Sequence, residues 1–299
     1  MPFPSFALTL RCVEVLLRHR RVDARENPLV MGILNVTPDS FSDGGECLSV
    51  DRAVERARHM IDQGAALIDV GPESTRPGAL PVPADEQIHR AIPLIEAIRR
   101  LDDSITLSID TRLAEVFRAA LSAGADWLND ISALRDDPDM AALVASSGTS
   151  VMLMHMRGSP ADMQRGGGPT YDDVVADVLA FLLQRRDFAL AQGIPQDRII
   201  LDPGIGFGKR SEHNWLLLQQ LHRFTELGQA VMIGASRKSF LGFDDSRSSP
   251  KNRVPASLAC AAIAVMKGAC LIRAHDVRET VDVIRTCRTV CRGGEPSAQ

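Results

Sequence analysis

Residues able to bind a polar ligand recur at the ends of short apolar segments in this 299-residue chain. The segment from Val30 to Leu34 is followed directly by Asn35, whose uncharged side chain can supply an oxygen ligand or a hydrogen-bond donor. Carboxylates and amides at such positions can face hydrogen-bond donors of a ligand, whereas cations can face an anion. Further residues in equivalent positions are Asp69, Asp110, Asn129, Asp130, His155, Asp202, Arg273 and His275.

The acidic residues of this set could serve the fold by capping helices instead of binding a ligand. Taken singly, Asp69 and Asp130 are predicted to cap the helices that follow them, because Asp is a preferred N-cap residue. Asp110, followed by Thr111 and Arg112, also fits a helix cap. Only a shared position on one face of the fold makes these residues candidates for a binding site.

A cationic segment, Ser236 to Ser239, contains Arg237 and Lys238 between a predicted strand and a predicted helix. Backbone N–H groups and the helix dipole at such a junction attract anions. Arg273 and His275 follow the next predicted strand, which is a neighbour in any closed barrel. These residues predict an anion site, with a solvated pair of cations as the alternative.

The segment from Asp202 to Lys209 reads DPGIGFGK. Its glycines permit tight backbone turns beside a ligand, and the ring of Phe207 can stack on a planar group. By itself, a glycine-rich loop of this kind is a weak indicator of function.

Eight apolar, strand-like segments alternate with amphipathic segments along the chain. This alternation is typical of parallel strands joined by helices, and eight units close a TIM (β/α)8 barrel whose strand ends meet at one face. An open doubly wound sheet is the alternative, although no GxGxxG motif follows the first segment. Helices are predicted from about Ser49 to Gln63 and from about Tyr171 to Gln192. The predicted strands are Leu29–Val36, Leu67–Val70, Thr106–Ile109, Trp127–Asn129, Val151–Met154, Ile199–Leu201, Ala230–Ile233 and Cys270–Ile272.

The length and the 45% apolar content fit a single α/β domain with short extensions. We expect residues 1–28 to form an extension, a short hairpin or helix, that covers the amino-terminal end of the barrel. Residues 29–291 should form the barrel itself, and residues 292–299 should form a frayed tail.

Composition argues against several classes of protein. The formal charge of −4, the single Tyr and the two Trp make nucleic acid an unfavourable partner. No apolar run reaches the length of about 18 residues that spans a membrane, and the amino terminus lacks the features of a secretion signal. The six cysteines are scattered without a CxxC pair, which predicts free thiols and a cytoplasmic location.

Several motifs, taken as a set, resemble those of the dihydropteroate synthase family. They occur in that family's order between about Pro28 and Cys287, and together they are highly specific. The motifs are MGILNVTPDSFSDGG at Met31–Gly45, ESTRPGA at Glu73–Ala79, SIDTR at Ser108–Arg112, NDIS at Asn129–Ser132, MHMRG at Met154–Gly158, DPGIGFGK at Asp202–Lys209, SRKS at Ser236–Ser239 and RAHDV at Arg273–Val277.

The resemblance implies a TIM barrel that condenses (7,8-dihydropterin-6-yl)methyl diphosphate with 4-aminobenzoate, giving 7,8-dihydropteroate and pyrophosphate in folate biosynthesis. It also implies Mg²⁺ as cofactor, a homodimer and an enzyme class that sulfonamides target. By position, it assigns the pterin to Asp110, Asn129, Asp202 and Lys238; the diphosphate to Asn35, Arg76, Arg273 and His275; the metal ion to Asn35; 4-aminobenzoate to Thr75, Phe207 and Ser239; and catalysis to Lys238, Arg273 and His275.

Two other functions remain open from the sequence. The pterin-binding barrel of methyltetrahydrofolate methyltransferases also places Asp and Asn against a pterin, but it needs no diphosphate site such as the one predicted at Ser236 to Ser239. A paralogue that binds a pterin or a partner without catalysis is the non-enzymatic alternative. Pyrophosphate release that requires both substrates would separate that alternative from an enzyme.

Overall fold

The computed structural model describes residues 12–36, 46–242 and 249–293, with only the backbone described for residues 46–49. Parts of several expectations lie outside the described residues. These parts are the extension before residue 12, the loop residues 37–45, the Cys47 side chain, residues 243–248 and the tail from residue 294.

Eight parallel strands form a closed barrel, which confirms the predicted TIM barrel and shows that the open sheet is wrong. A short antiparallel hairpin, β1 (Glu14–Leu16) and β2 (Arg21–Asp23), precedes the barrel. The last barrel strand pairs with the first, so the described sheet has no free edge. The barrel strands are β3 (Leu29–Asn35), β4 (Leu67–Gly71), β5 (Thr106–Asp110), β6 (Trp127–Asp130), β7 (Ser150–Met154), β8 (Ile199–Asp202), β9 (Ala230–Ile233) and β10 (Leu271–Ala274).

Helices connect the barrel strands. The predicted helix from Tyr171 begins three residues later, because the Asp173 side chain accepts hydrogen bonds from the Val175 and Ala176 N–H groups at 3.0 Å and acts as the N-cap. The helices are α1 (Glu46–Asp62), α2 (Ala84–Leu101), α3 (Ala114–Ala123), α4 (Met140–Ser147), α5 (Val174–Ala191), α6 (Ser211–Gln219), α7 (His222–Thr225), α8 (Val254–Met266) and α9 (Val277–Cys291).

The alternation of side chains along the strands creates two apolar layers. Outward-facing residues such as Ile68 and Ile109 pack against helix residues such as Phe117 and Leu94. Inward-facing residues near the amino-terminal strand ends form a separate cluster inside the barrel. Because the apolar cluster fills that end, the interior positions at the carboxyl end are left for polar side chains.

The hairpin packs against the amino-terminal end of the barrel. Val13, Val15 and Leu17 join the inner apolar cluster, and the Trp127 indole Nε1–H donates to the Leu16 carbonyl at 3.0 Å. The Arg18 guanidinium also contacts the Asp126 carboxylate at 2.7 Å. These contacts leave the carboxyl end of the barrel uncovered by the hairpin.

The five cysteines with described side chains are free thiols. Cys260, Cys270 and Cys287 are buried, whereas Cys12 and Cys291 are exposed. Among the described residues no helix is both long enough and apolar enough to cross a membrane.

Candidate active site

Strand register brings the predicted binding residues of four strands to one end of the barrel. Asn35 lies beside Gly71, and Asp110 lies beside Asn129. Asp202 ends β8 opposite Met154 of β7. Asn35 and Asp202, although distant in the sequence, therefore lie at the same end of the barrel, as expected for a (β/α)8 fold.

Arg273 occupies the centre of a buried polar cluster at this mouth. The predicted strand ended at Ile272, but β10 continues to Ala274, so Arg273 lies within the strand and points into the barrel. Its Nε donates to Asp69 Oδ2 at 2.7 Å, and its Nη2 donates to Asp110 Oδ2 at 3.1 Å. The Asn129 amide donates to the same Asp69 oxygen at 2.9 Å. One guanidinium thus connects two carboxylates from neighbouring strands.

Asp69 is assigned no ligand from the sequence, because its position before the Gly71 loop favours a helix cap. In the structure it lies inside β4, is fully buried and caps no helix. Its second oxygen, Oδ1, is buried without a hydrogen-bond partner among the described residues. A buried carboxylate oxygen without a donor is costly unless a ligand or water supplies one. The capping prediction is also wrong for Asp130, because the next helix, α4, has Asp139 at its N-cap. The Asp130 carboxylate instead accepts hydrogen bonds from the Ser132 and Leu134 N–H groups at 2.7 Å and stabilises its own loop.

Burial determines the proton affinity of the acids in the mouth. Burial and the neighbouring Asp69 raise the pKa of Asp110 to about 7, although the Arg273 guanidinium opposes the shift. Burial also raises the pKa of Asp202, and Lys238, the Gly204 N–H group, Lys209 and Arg273 oppose it. Asp202 Oδ1 accepts a hydrogen bond from that Gly204 N–H group at 2.7 Å.

Lys238 lies opposite Asp202 on the loop that follows β9. Its ammonium donates to the Ile205 carbonyl and lies 4.4 Å from the centroid of the Phe207 ring. Burial lowers the pKa of Lys238 to about 8, although the charges of Asp202 and Asp110 act to raise it. The mouth therefore presents a cation and an aromatic face beside the Asp202 carboxylate.

The predicted helix after Ser236 to Ser239 is wrong within the described residues. Two four-residue 3-10 helices, Ser239–Gly242 and Pro250–Arg253, lie between β9 and the first α-helix of this region, α8, which begins at Val254. Arg237 adopts a left-handed backbone conformation with φ of 58°. Its guanidinium pairs with the Asp276 carboxylate. The Arg237 guanidinium is therefore held by the loop that follows β10.

His275 is neutral in this environment. Burial and the charges of Arg273, Arg237 and Arg56 lower its pKa to about 3. The Ser236 hydroxyl lies 3.1 Å from both His275 Nδ1 and the His275 backbone N–H group, so the hydroxyl accepts from the backbone and can donate to the ring. When the hydroxyl donates to Nδ1, the neutral ring carries its proton on Nε2 and is a hydrogen-bond donor rather than a cation.

We expect the His275 ring to stay neutral in NMR titrations from pH 8 to about pH 4, because its pKa of about 3 lies below that range. Since the folded state binds fewer protons than the unfolded state between pH 3 and 6.5, this residue makes the free energy of unfolding rise with pH across that window. The His275→Gln variant should lose this component. A His275 signal that titrates near pH 6.5 would contradict the prediction.

The other predicted residues lie on the rim of the mouth. Asn35 ends β3 and is half-buried. Its Oδ1 atom lies close to the backbone of Gly71, where the Cβ atom of any other residue would be only 2.8 Å away. Thr75 and the exposed Arg76 lie on the loop after β4, whose Gly78 N–H group donates to the Pro160 carbonyl at 2.8 Å. Ser239 is exposed at the start of its 3-10 helix. The described contacts do not link these rim residues directly to the Arg273 cluster.

A closed (β/α)8 barrel with carboxylate, amide, guanidinium and ammonium groups at the carboxyl ends of its strands has the architecture of a barrel enzyme. A family model described as "Pterin binding enzyme" matches residues 31–275. The dihydropteroate synthase of Escherichia coli K12 is 46% identical over 259 residues, which cover 87% of this chain and 90% of that relative. The synthase of Mycobacterium leprae is 43% identical over 261 residues, covering 86% and 91%.

Solved structures agree with the sequence relatives. A Xanthomonas albilineans dihydropteroate synthase with 4-aminobenzoic acid has a TM-score of 0.85 and 43% identity, and the match covers 93% of this chain and 98% of that one. A structure of the Xanthomonas enzyme with 7,8-dihydropteroate has a TM-score of 0.82 and 40% identity over the same shares. The chain therefore belongs to the dihydropteroate synthase family, as the sequence motifs predict.

Proposed function

We infer that this chain condenses (7,8-dihydropterin-6-yl)methyl diphosphate with 4-aminobenzoate to give 7,8-dihydropteroate and pyrophosphate. The observation that carries this function is the contact of the Arg273 guanidinium with the buried residues Asp69 and Asp110, beside buried Asn129, at the same end of the barrel as Asp202 and Lys238. The acidic groups of this site match the donor-rich ring of the substrate, and its basic groups match the anionic leaving group.

We propose that Asp202, Asp110, Asn129 and Lys238 bind the pterin. The 2-amino and ring N–H groups of a pterin form a planar donor edge, which an ionised carboxylate can accept in a bidentate manner. Asp202 suits this role because it is buried and has nearby cations that favour the ionised form. The Lys238 ammonium, on the adjacent loop, complements the pterin carbonyl.

Arg76, Arg273, His275 and Asn35 are proposed to bind the diphosphate. When the bond between the pterin methylene carbon and the diphosphate oxygen breaks, its electron pair stays on the diphosphate. Cations and the His275 Nε2–H donor stabilise this charge as it develops, which lowers the barrier. The arylamine nitrogen then forms a bond to the methylene carbon and loses a proton. Arg273 also touches Asp69 and Asp110, so it connects the pterin site to the diphosphate site.

Thr75, Phe207 and Ser239 are proposed to flank 4-aminobenzoate. Phe207 offers an aromatic face, and it packs beside an apolar cluster of Ile131, Met154, Met156 and Met163. A Yersinia pestis synthase that is 42% identical has been solved in complex with a sulfonamide drug. We propose that sulfonamides compete for this same pocket in the present chain.

Mg²⁺ fits Asn35 by donor chemistry, since this ion prefers oxygen ligands and retains several waters. The Asn35 Oδ1 atom lies at the carboxyl end of β3, where Gly71 leaves space for it. No group of three His, Cys, Asp or Glu residues in the described ranges could hold a metal ion, so most ligands would come from diphosphate and water. When bound, the ion would supply positive charge to the leaving group.

We propose a homodimer formed through the outer helices and a cytoplasmic location. Leu216 on α6 and Ile263 on α8 are 39% and 43% exposed on neighbouring helices, which supports an interface there.

The free thiols of the described cysteines support a reducing compartment, such as the cytoplasm.

The test of the function is pyrophosphate release measured with purified protein and Mg²⁺. We expect release to require both substrates and to match dihydropteroate formation one to one. Release without 4-aminobenzoate at the same rate would indicate hydrolysis instead. Pterin binding without release under any condition would favour the paralogue that binds but does not catalyse.

A further inference from the structure

Lys209 is a buried lysine whose hydrogen-bond partners are all uncharged. Only 2% of the residue is exposed. Its ammonium lies 2.9 Å from the Gly204 carbonyl, 3.0 Å from the Phe207 carbonyl and 3.3 Å from the His155 carbonyl. The fourth neighbour is His155 Nδ1 at 2.9 Å. Burying a charge without an ionic partner is costly, so the contacts of this ammonium have to offset a large penalty.

The His155 ring is suited to accept one of these hydrogen bonds. Burial and the nearby Lys209 lower the pKa of His155 to about 2, so the ring is neutral. It lies edge-on to Phe181 with ring centroids 4.9 Å apart. A neutral ring that accepts at Nδ1 carries its proton on Nε2.

The acceptors belong to two different loops that touch through their backbones. His155 follows β7, whereas Gly204 and Phe207 follow β8. The two loops approach so closely that only glycine fits at positions 204 and 208. A side chain at position 204 would place its Cβ atom 1.9 Å from the His155 carbonyl oxygen, and one at position 208 would place it 2.2 Å from the Arg157 carbonyl oxygen. Three carbonyl oxygens that converge on one point repel each other unless a cation lies between them. Burial lowers the pKa of Lys209 well below its ordinary value, but the three carbonyl acceptors and the charge of Asp202 favour the protonated form, which supplies that cation from within the chain.

The loop held by Lys209 carries contacts on both sides of the proposed substrate site. At its start, the Gly204 N–H group binds the Asp202 carboxylate at 2.7 Å. In its middle, the Ile205 carbonyl accepts from Lys238. Near its end, the Phe207 ring lies against the same Lys238 ammonium. The position of this loop therefore sets the positions of two side chains assigned to the pterin and one assigned to 4-aminobenzoate.

We propose that Lys209 is a positioning residue: its ammonium locks the Gly204–Phe207 loop against His155 and thereby fixes Lys238 and Phe207 for the two substrates. This inference rests on the proposed function for the roles of Lys238 and Phe207. Lys209 itself touches neither substrate, because its ammonium is enclosed by the two loops.

The test is the Lys209→Met variant, which keeps an unbranched side chain as far as the Cε position but removes the amino group and its charge. We expect kcat/KM to fall about 100-fold, since displacements of about 1 Å in a site have costs of this size. The KM for 4-aminobenzoate should rise through Phe207, and the dissociation constant for a pterin should rise through Lys238. A merely structural role would lower the amount of folded enzyme and hence the maximal rate, while leaving both of these constants unchanged.

Lys267→Met is the matched control, because the Lys267 ammonium donates to the Gln219 carbonyl at the surface and lies outside the mouth. It should retain the wild-type constants. If Lys209→Met does not accumulate as folded protein, Lys209→Gln retains N–H donors without the charge and should show smaller shifts of the same two constants. Unchanged constants in a folded Lys209 variant would overturn the proposal.

Pterin titration separates this inference from the proposed function. If the wild-type protein binds a pterin but forms no dihydropteroate, the function fails while the binding comparison still tests Lys209. If the wild-type protein is active and Lys209→Met binds the pterin equally well with an unchanged KM for 4-aminobenzoate, only the positioning role fails.

Discussion

Replacing Asp202 by Asn is expected to weaken pterin binding at least about 100-fold and to remove most turnover, because the pterin edge meets this carboxylate with hydrogen-bond donors. Asn offers one oxygen and turns an N–H₂ group toward those donors, so a matched pair of hydrogen bonds becomes one bond and one repulsive contact. Asp202 is buried, which leaves little room for water to relieve the mismatch.

The loss should come from recognition and not from unfolding. Burial raises the pKa of Asp202, which means that the folded state disfavours its charge. Asn removes that charge and retains an oxygen for the Gly204 N–H group. The melting temperature should therefore change little or rise.

Titration calorimetry with a pterin ligand measures the effect, and Asp197→Asn is a suitable control. Asp197 precedes the same strand at the opposite end of the barrel, where it pairs with Arg21 at 2.7 Å. The control should bind the pterin as the wild type does. Equal affinity of Asp202→Asn and wild type would show that the proposed orientation of the pterin is wrong.

Much of the fold could be predicted from the sequence because apolar segments and helix signals are local. Each of the eight barrel strands overlaps its predicted segment. Helix α5 begins directly after Asp173, whose carboxylate binds backbone N–H groups of the first turn. The end of β10 was placed before Arg273, since a charged residue in an apolar segment usually marks its end. The strand continues because carboxylates from two other strands form ion pairs with the Arg273 guanidinium inside the barrel.

The candidate site was harder to predict where a role depends on a partner distant in sequence. Asp69 lies 204 positions from Arg273, and nothing near it in the chain indicates that contact. Lys209 ends a glycine-rich loop, and its residue type predicts a position on the surface. It is buried because His155, in the loop after β7, packs against its amino group. His275 was grouped with the cations, but burial beside Arg273 and Arg237 makes it neutral. Burial and long-range pairing, rather than residue type, decide these three roles.

Arg273→Met is expected to produce the second large effect, on both turnover and stability. Turnover should fall about 1,000-fold, because removal of one preorganised electrostatic group from an active site has a cost near this size. Asp69 and Asp110 would lose the guanidinium that lies between them. Breaking a buried ion pair by removing one partner destabilises proteins by about 3–5 kcal/mol.

The stability loss should depend on pH with a defined sign. Without Arg273, the two buried carboxylates disfavour double ionisation, so the pKa of Asp110 rises further above its value in the unfolded chain. In the folded variant Asp110 then keeps a proton that it has already released in the unfolded chain. The free energy of unfolding therefore falls as the pH rises through the pKa of Asp110 in the folded state. Chemical denaturation at pH 6 and pH 8 should therefore show a larger loss at pH 8.

A double variant distinguishes the two roles of the guanidinium. In Arg273→Met combined with Asp69→Asn, one of the two buried carboxylates is neutral, and the Asn129 amide retains an oxygen acceptor at position 69. Much of the lost stability should return at pH 8, whereas turnover should stay low because no cation remains between the pterin and diphosphate sites. If the double variant recovered turnover together with stability, Arg273 would act only by neutralising Asp69, and its proposed contact with the leaving group would have to be abandoned.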